Sequence, residues 1–261
     1  MNIVVCIKQV PGTTDVKISE KTNTLVREGV ESIINPFDVY AIEEAIRIKE
    51  KVGGKVTILS MGPPQAKEAI KEAIAMGADE GILLSDRAFA GSDTWATGYT
   101  LSMGIKKISS FDLIICGKQA IDGDTAQVGP GVAEALGLPF VAYVRKVEEI
   151  KEGYIRCERM MEEGYEVIEM SLPALITVVK EINEPRLPSL KGMMRAKKAE
   201  IATWTAQDLS AEPANIGLTG SPTQVVKIFS PPARPGGEMI LGEIGEQAEK
   251  LVARLRELKI V

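Results

Sequence analysis

Short, β-branched apolar runs alternate with apolar stripes at helical spacing from the first residues to Val144. Ile3–Ile7, Val56–Leu59, Ile82–Leu84, Leu113–Cys116 and Phe140–Val144 read as strands. The first, Ile3–Ile7, is apolar throughout, which fits a strand covered on both faces. Between the strands lie four helical stretches. Asn35-Pro36 opens the first, with Asn as N-cap and Pro at the first helical position, and Gly53-Gly54 ends it. The second runs from Pro63-Pro64 to Gly77, with Ile70, Ala73 and Ile74 as its stripe. Thr94–Ile108 is the third, after the loop Ser85–Asp93, and the fourth carries Val128, Val132, Ala135 and Leu136 and stops at Gly137 and Pro139. A polar segment from Pro11 to about Ser32 lacks either rhythm. Strands alternating with helices of this length imply right-handed crossovers and a parallel sheet. Ligands of such sheets sit beyond the carboxyl ends of the strands, so the loops after the first four strands are the ones to inspect.

The pattern changes after Val144. Tyr154–Arg159 and Glu166–Met170 flank Glu162-Glu163-Gly164 as an antiparallel hairpin, and Leu175–Val179 is a further strand. After Glu184-Pro185 the rhythm stops. Residues 185–237 hold Pro185, Pro188, Pro213, Pro222, Pro231, Pro232 and Pro235, a density that suits an irregular arm ordered by a partner. Glu238–Leu258 is again amphipathic, through Ile244, Ala248, Leu251, Val252 and Leu255. The expected division is therefore 1–184 as an α/β domain, 185–237 as an arm and 238–261 as a C-terminal helix.

Composition narrows the functions. With 45% hydrophobic and 26% charged residues over 261 positions, a packed core is expected. A net charge of −5 disfavours a nucleic-acid binder, which needs a basic surplus. The chain has no histidine, which removes His-dependent triads, His–metal sites and the usual proton shuttle. Cys6, Cys116 and Cys157 form no CxxC pair, so no metal site is expected, and an odd count of cysteines suits a reducing compartment. The opening Met1–Lys8 has neither the basic region nor the long apolar run of a secretory signal, and no stretch is long enough to span a bilayer. A cytoplasmic protein is the expectation.

The loop Gly117–Asp124, leading into the helix from Thr125, is the most informative local feature. Gly117, Gly123 and Gly129 permit close backbone approach, and the helix start offers free N–H groups to an anion. It fits neither a P-loop nor a GxGxxG fingerprint, and acidic capping of the helix by Asp122 and Asp124 is the plainer alternative. Asn35–Asp38 gives a second helix start, readable as an ordinary cap, and Asp86–Thr94 a third, readable as a solvated loop. Three starts at one sheet edge would make a nucleotide site. No residue reads as an activated nucleophile or general base. Cys6 and Cys116 read as buried structural thiols. Lys191, Arg195, Lys197 and Lys198 are either a solvated face or a docking charge cluster.

The chain resembles the β-subunits of electron-transferring flavoproteins from end to end. The resemblance lies in Val4–Val10 (VVCIKQV), Asn35–Ala45 (NPFDVYAIEEA), Met61–Gly77, Gly117–Gly129 (GKQAIDGDTAQVG) and Asn183–Lys198 (NEPRLPSLKGMMRAKK). The family's hairpin signature is recognisable across Arg159–Thr177, with Cys157 where a small or aliphatic residue is usual. The resemblance implies a Rossmann-like sheet of the adenine-nucleotide-binding type, with a β-hairpin extension and a long C-terminal arm, working in an αβ heterodimer. Carried over by position, the nucleotide site comprises Cys6, Asn35, Pro36, Phe37, Asp38, Met61, Gln119, Ala120, Ile121, Asp122, Gly123, Asp124, Thr125, Ala126, Gln127, Val128 and Gly129. Ordinary members hold AMP there. Electron-bifurcating members hold a second FAD that takes hydride from NADH and divides the electrons between ferredoxin or flavodoxin and the α-subunit FAD. The stretch Ser85–Thr97 resembles the bifurcating group and adds Asp93, Thr94 and Thr97. Leu190, Met193, Met194 and Arg195 resemble the loop that grips a flavin-dependent dehydrogenase. An unrelated nucleotide-binding α/β protein is the remaining alternative.

Overall fold

The computed structural model describes residues 1–12, 32–227 and 236–261. Most of the polar segment after Pro11, together with Pro231, Pro232 and Pro235 of the expected arm, lies outside the described residues.

The elements run β1 (Asn2–Ile7), β2 (Gln9–Pro11), β3 (Ser32–Ile34), α1 (Pro36–Val52), β4 (Lys55–Met61), α2 (Lys67–Met76), β5 (Glu80–Leu84), α3 (Thr94–Ile108), β6 (Leu113–Gly117), α4 (Val128–Leu136), β7 (Phe140–Lys151), β8 (Tyr154–Met161), β9 (Gly164–Ser171), β10 (Ala174–Val178), α5 (Leu190–Lys198), β11 (Ala202–Trp204) and α6 (Ile244–Glu257). One sheet has the order β11-β5-β4-β1-β6-β10-β7-β8-β9. Its central pairs are parallel, and β7, β8 and β9 form an antiparallel meander. Largely apolar strands need cover on both faces, and two clusters supply it. Ile42 and Ile46 of α1 and Ile70 and Ile74 of α2 pack with Ile3, Val5 and Ile58. Leu101 and Ile105 of α3 and Val132 of α4 pack with Val4, Leu59 and Ile114.

From β1 the chain builds outward through β4 to β5, then returns to place β6 on the other side of β1. The order therefore reverses between β1 and β6, which makes the crevice at their carboxyl ends the switch point of the sheet.

Three differences from the sequence expectation have physical causes. β2 and β3 form a separate antiparallel pair of three residues each, too short to leave a periodic signal. The stretch expected to be irregular from 185 carries α5 and β11, and β11 pairs in parallel with β5, Ala202 opposite Ile82. Ala196, Leu209 and Ile216 of that stretch are buried, and its described residues through Val226 belong to the first compact unit. Prolines hid this because the burying residues are far apart rather than periodic. The second unit, Lys227–Val261, contains α6, which begins at Ile244 rather than Glu238 because Gly242 (φ 137°) breaks the helical path. No helix of the described residues is long and apolar enough to cross a membrane.

Candidate functional site

Residues just past the carboxyl ends of β1 and β6 set the crevice. β1 ends at Ile7, so Lys8 is the first residue past its carboxyl end, and β6 ends at Gly117. Pro36 begins α1 directly over them. The Lys8 N–H donates to Asp38 Oδ2 at 2.7 Å. The Lys8 ammonium reaches across to Asp122, with Nζ 2.6 Å from Oδ1 and 2.8 Å from Oδ2. Asn35 stands at the N-cap of α1 without capping it, and its amide instead engages the backbone of Gln119 and Ile121. Three loops from three strand ends are thus tied together.

Gly117 has a plain reason to be glycine. A Cβ there would lie 2.7 Å from the Phe37 carbonyl carbon and 2.8 Å from the Asp38 nitrogen. The loop beyond it turns on the Ala120 carbonyl, which accepts from the Asp124 N–H at 2.8 Å, and Gln119 Nε2 also donates to the Asp124 carboxylate. Asp124 and Ala126 both adopt φ near 55°, an uncommon setting for residues with a Cβ and one that gathers backbone N–H groups into an anion-binding concavity. Among the described residues, no acceptor meets the N–H of Thr125, Ala126, Gln127, Val128 or Gly129. The start of α4 and this turn together present a cradle for an anionic oxygen group. Beside it a cavity of ≈ 120 Å³ is lined by Lys8, Gln9, Met61, Gly62, Gln65 and Asp122 among others.

Asp38 is the one strongly perturbed carboxyl of the crevice. Burial pushes its pKa up to about 7, against the hydrogen bonds of the Asn35 amide and the Lys8 and Gly117 N–H groups. A carboxyl raised in this way binds its proton in the folded state before the unfolded one does. Stability is therefore expected to fall as pH rises from about 4 to about 7 and to stay flat above, by on the order of 2–4 kcal/mol for this group. Chemical denaturation across that window checks it. Asp38→Asn should remove the slope, and an unchanged slope would assign the pH dependence elsewhere.

Cys6 and Cys116 are register partners on β1 and β6, both buried. Hydrogen bonding to Cys6 and burial raise the Cys116 thiol well above its ordinary value, which keeps it protonated and unreactive. Thr177 is part of the hairpin signature but not among the site candidates read from sequence. It is buried on β10, where its hydroxyl accepts from the Tyr143 N–H at 3.1 Å and its methyl underlies Gly129. Lys8 was also missed, and its place one residue past a strand end was the available signal. Lys118 adds a cation between two rings, 5.9 Å from Phe37 and 5.3 Å from Tyr143.

Two other groups of sequence candidates fall elsewhere. Asp93, Thr94 and Thr97 start α3 beyond β5, two strands from β1. The Asp93 carboxylate caps that helix through the N–H of Trp95 and Ala96 and binds the N–H and hydroxyl of Thr223. Ser92 is likewise bonded to Phe89 and Gly217. The Ser92 hydroxyl and the Asp93 carboxylate, which suggested phosphate, are engaged with protein here. On α5, Leu190 and Met194 are exposed at 79% and 65%, and Met193 is partly so. Arg195, expected as a rim charge, is exposed and has a further role. Its guanidinium donates to the carbonyls of Ile74 and Ala78 at 2.7 and 2.6 Å, so it fastens α5 to the end of α2. A Cβ on Gly192 would strike the Ala75 carbonyl, so that packing is close.

A Rossmann-like α/β protein with an anion cradle at its switch point is the class these features define. Residues 22–209 match the electron transfer flavoprotein domain. The chain is 55% identical, over the whole of both chains, to the electron transfer flavoprotein subunit beta of Thermoanaerobacterium thermosaccharolyticum. It is 52% identical, again over both whole chains, to subunit CarD of the caffeyl-CoA reductase-Etf complex of Acetobacterium woodii. Against protein FixA of Bradyrhizobium diazoefficiens the identity is 43%, covering 97% of this chain and 90% of the relative. The chain belongs to the electron transfer flavoprotein family, as a β-subunit, which implies an α-subunit partner. This sets aside the unrelated nucleotide-binding protein.

Proposed function

We propose that this β-subunit pairs with its α-subunit in the cytoplasm and holds FAD in the switch-point cradle, and that the assembled complex is an NADH-dependent flavin oxidoreductase. The supporting observation is the run of N–H groups from Thr125 to Gly129 that meet no acceptor among the described residues, at the turn made by left-handed Asp124 and Ala126, which suits a pyrophosphate. Bound there, FAD would supply the redox chemistry: hydride from NADH brings two electrons, one leaving to ferredoxin or flavodoxin and one to the α-subunit FAD. The residues of this chain bind and orient. Lys8 stands beside the cradle as a cation paired with Asp122 of the same loop. The full-length similarity to a subunit of a caffeyl-CoA reductase-Etf complex supports a flavin-dependent dehydrogenase as the second acceptor. One observation favours the other reading, a structural AMP: the start of α3 is occupied by Asp93, leaving a single cradle. Anaerobic oxidation of NADH by the co-expressed complex separates the two. Equal electron delivery to both acceptors, lost when either is omitted, is expected. Delivery to one acceptor alone would favour AMP.

The exposed Leu190 should act as the anchor for that dehydrogenase, since an apolar side chain on a tightly held helix loses little freedom on docking. Leu190→Ala is expected to leave flavin content and NADH oxidation with an artificial dye unchanged. Transfer to the dehydrogenase should weaken by on the order of 1–3 kcal/mol, roughly tenfold or more. Normal coupling in the variant, or loss of the heterodimer, would count against the anchor.

A further inference from the structure

Asn35 is 1% exposed and occupies a cap position, yet its side chain does no capping. Its Oδ1 accepts from the Ile121 N–H at 3.1 Å, and its Nδ2 donates to the Gln119 carbonyl at 2.8 Å. The Asn35 N–H donates to the Lys8 carbonyl at 2.8 Å. The polar atoms of this side chain are therefore committed to protein. What they hold is the residue pair on either side of Ala120. The Ala120 carbonyl in turn fixes Asp124, from which the left-handed turn and the N–H groups of Thr125–Gly129 follow. A short planar amide offers a donor and an acceptor at this spacing, and neither a hydroxyl nor a carboxylate can replace both.

We propose that Asn35 is the positioning residue of the anion cradle, fixing the 119–124 turn and so aiming the Thr125–Gly129 N–H groups. The proposal rests on the nucleotide reading above. Its signature is selective: the phosphate-dependent part of binding should fall and the rest should remain. Full-length chain co-expressed with its α-subunit, stripped of nucleotide, is titrated with AMP and with adenosine by calorimetry. Asn35→Ala should lower AMP affinity at least about tenfold and leave adenosine within about twofold. Hydrogen exchange should quicken from Gln119 to Gly129 and be unchanged elsewhere. Asn35→Asp keeps the acceptor for Ile121 and loses the donor to Gln119, so an intermediate loss is expected, and it is the variant to read if Asn35→Ala does not fold. Equal loss of AMP and adenosine, or an unchanged AMP affinity, overturns the positioning role. A wild-type complex that takes up neither AMP nor FAD overturns the nucleotide reading itself.

Discussion

Arg186→Ala is expected to cost about 3 kcal/mol of stability and to loosen the chain from Asn183 onward. Arg186 lies in the Asn183–Arg186 signature, and its role is to fasten that segment to α1. Its Nε and backbone N–H donate to Glu43 at 2.8 and 3.1 Å, and its two terminal nitrogens reach Glu50 at 2.5 and 2.9 Å. Asn183 adds a bond to the Tyr40 carbonyl at 3.0 Å. The Glu43 side chain is only 2% exposed, so removing the guanidinium leaves a buried carboxylate with Arg47 and the backbone N–H of residue 186 as its remaining partners. Such an uncompensated charge is a larger loss than a surface ion pair, which is worth under about 1 kcal/mol. Burial pushes the Glu43 carboxyl up, but hydrogen bonds from Arg186 and Arg47 outweigh it and hold it below the ordinary value. A depressed carboxyl stabilises above its unfolded pKa and loses that stabilisation as pH falls through the folded one. Wild type should therefore weaken on acidification below about pH 4.5, and Arg186→Ala should show less of that acid-side loss. Urea unfolding and limited proteolysis read both effects. A change under about 1 kcal/mol with no new cleavage would show that the segment is held by something else.

Gly117→Ala is expected to destabilise by about 2–4 kcal/mol and to abolish nucleotide retention, whereas Gly123→Ala is expected to do neither. The two glycines sit in one loop and look alike in sequence. At Gly117 an added Cβ meets the backbone of Phe37 and Asp38 and collides with the Asp38 carboxylate. That backbone is the first turn of α1, set by Pro36 and by the Asn35 bond to Lys8, and has no room to step aside. At Gly123 an added Cβ meets nothing within 4 Å. Thermal melts and nucleotide content of the two variants, prepared side by side, give the answer. Equal behaviour would remove the close approach of α1 and β6 from the explanation.

The parallel sheet was legible because β1, β4, β5, β6 and β10 are largely apolar runs, polar only at some of their first residues and at Thr57, Ser60 and Thr177, which a doubly covered strand can bury. The helices were legible from their stops: Gly77 and Gly137 end α2 and α4 where expected. What sequence pattern does not carry is the use of a polar side chain across space. Asn35 reads as a cap because Asn before Pro usually is one, and its bond to a loop 84–86 residues away has no local signature. Asp93 shows the reverse. It reads as a ligand contact among hydroxyls and small residues, and the structure engages it as a cap joined to Thr223. β11 and α5 were hidden by prolines, since Arg195 and Gly192 secure α5 through carbonyls of α2 rather than through an apolar stripe.

Counting the nucleotides released on denaturing the co-expressed heterodimer tests the FAD assignment most directly. Two FAD and no AMP per heterodimer is the expected result, one of the two leaving when the Thr125–Gly129 cradle is disrupted by Gly117→Ala. One FAD with one equimolar AMP would contradict it.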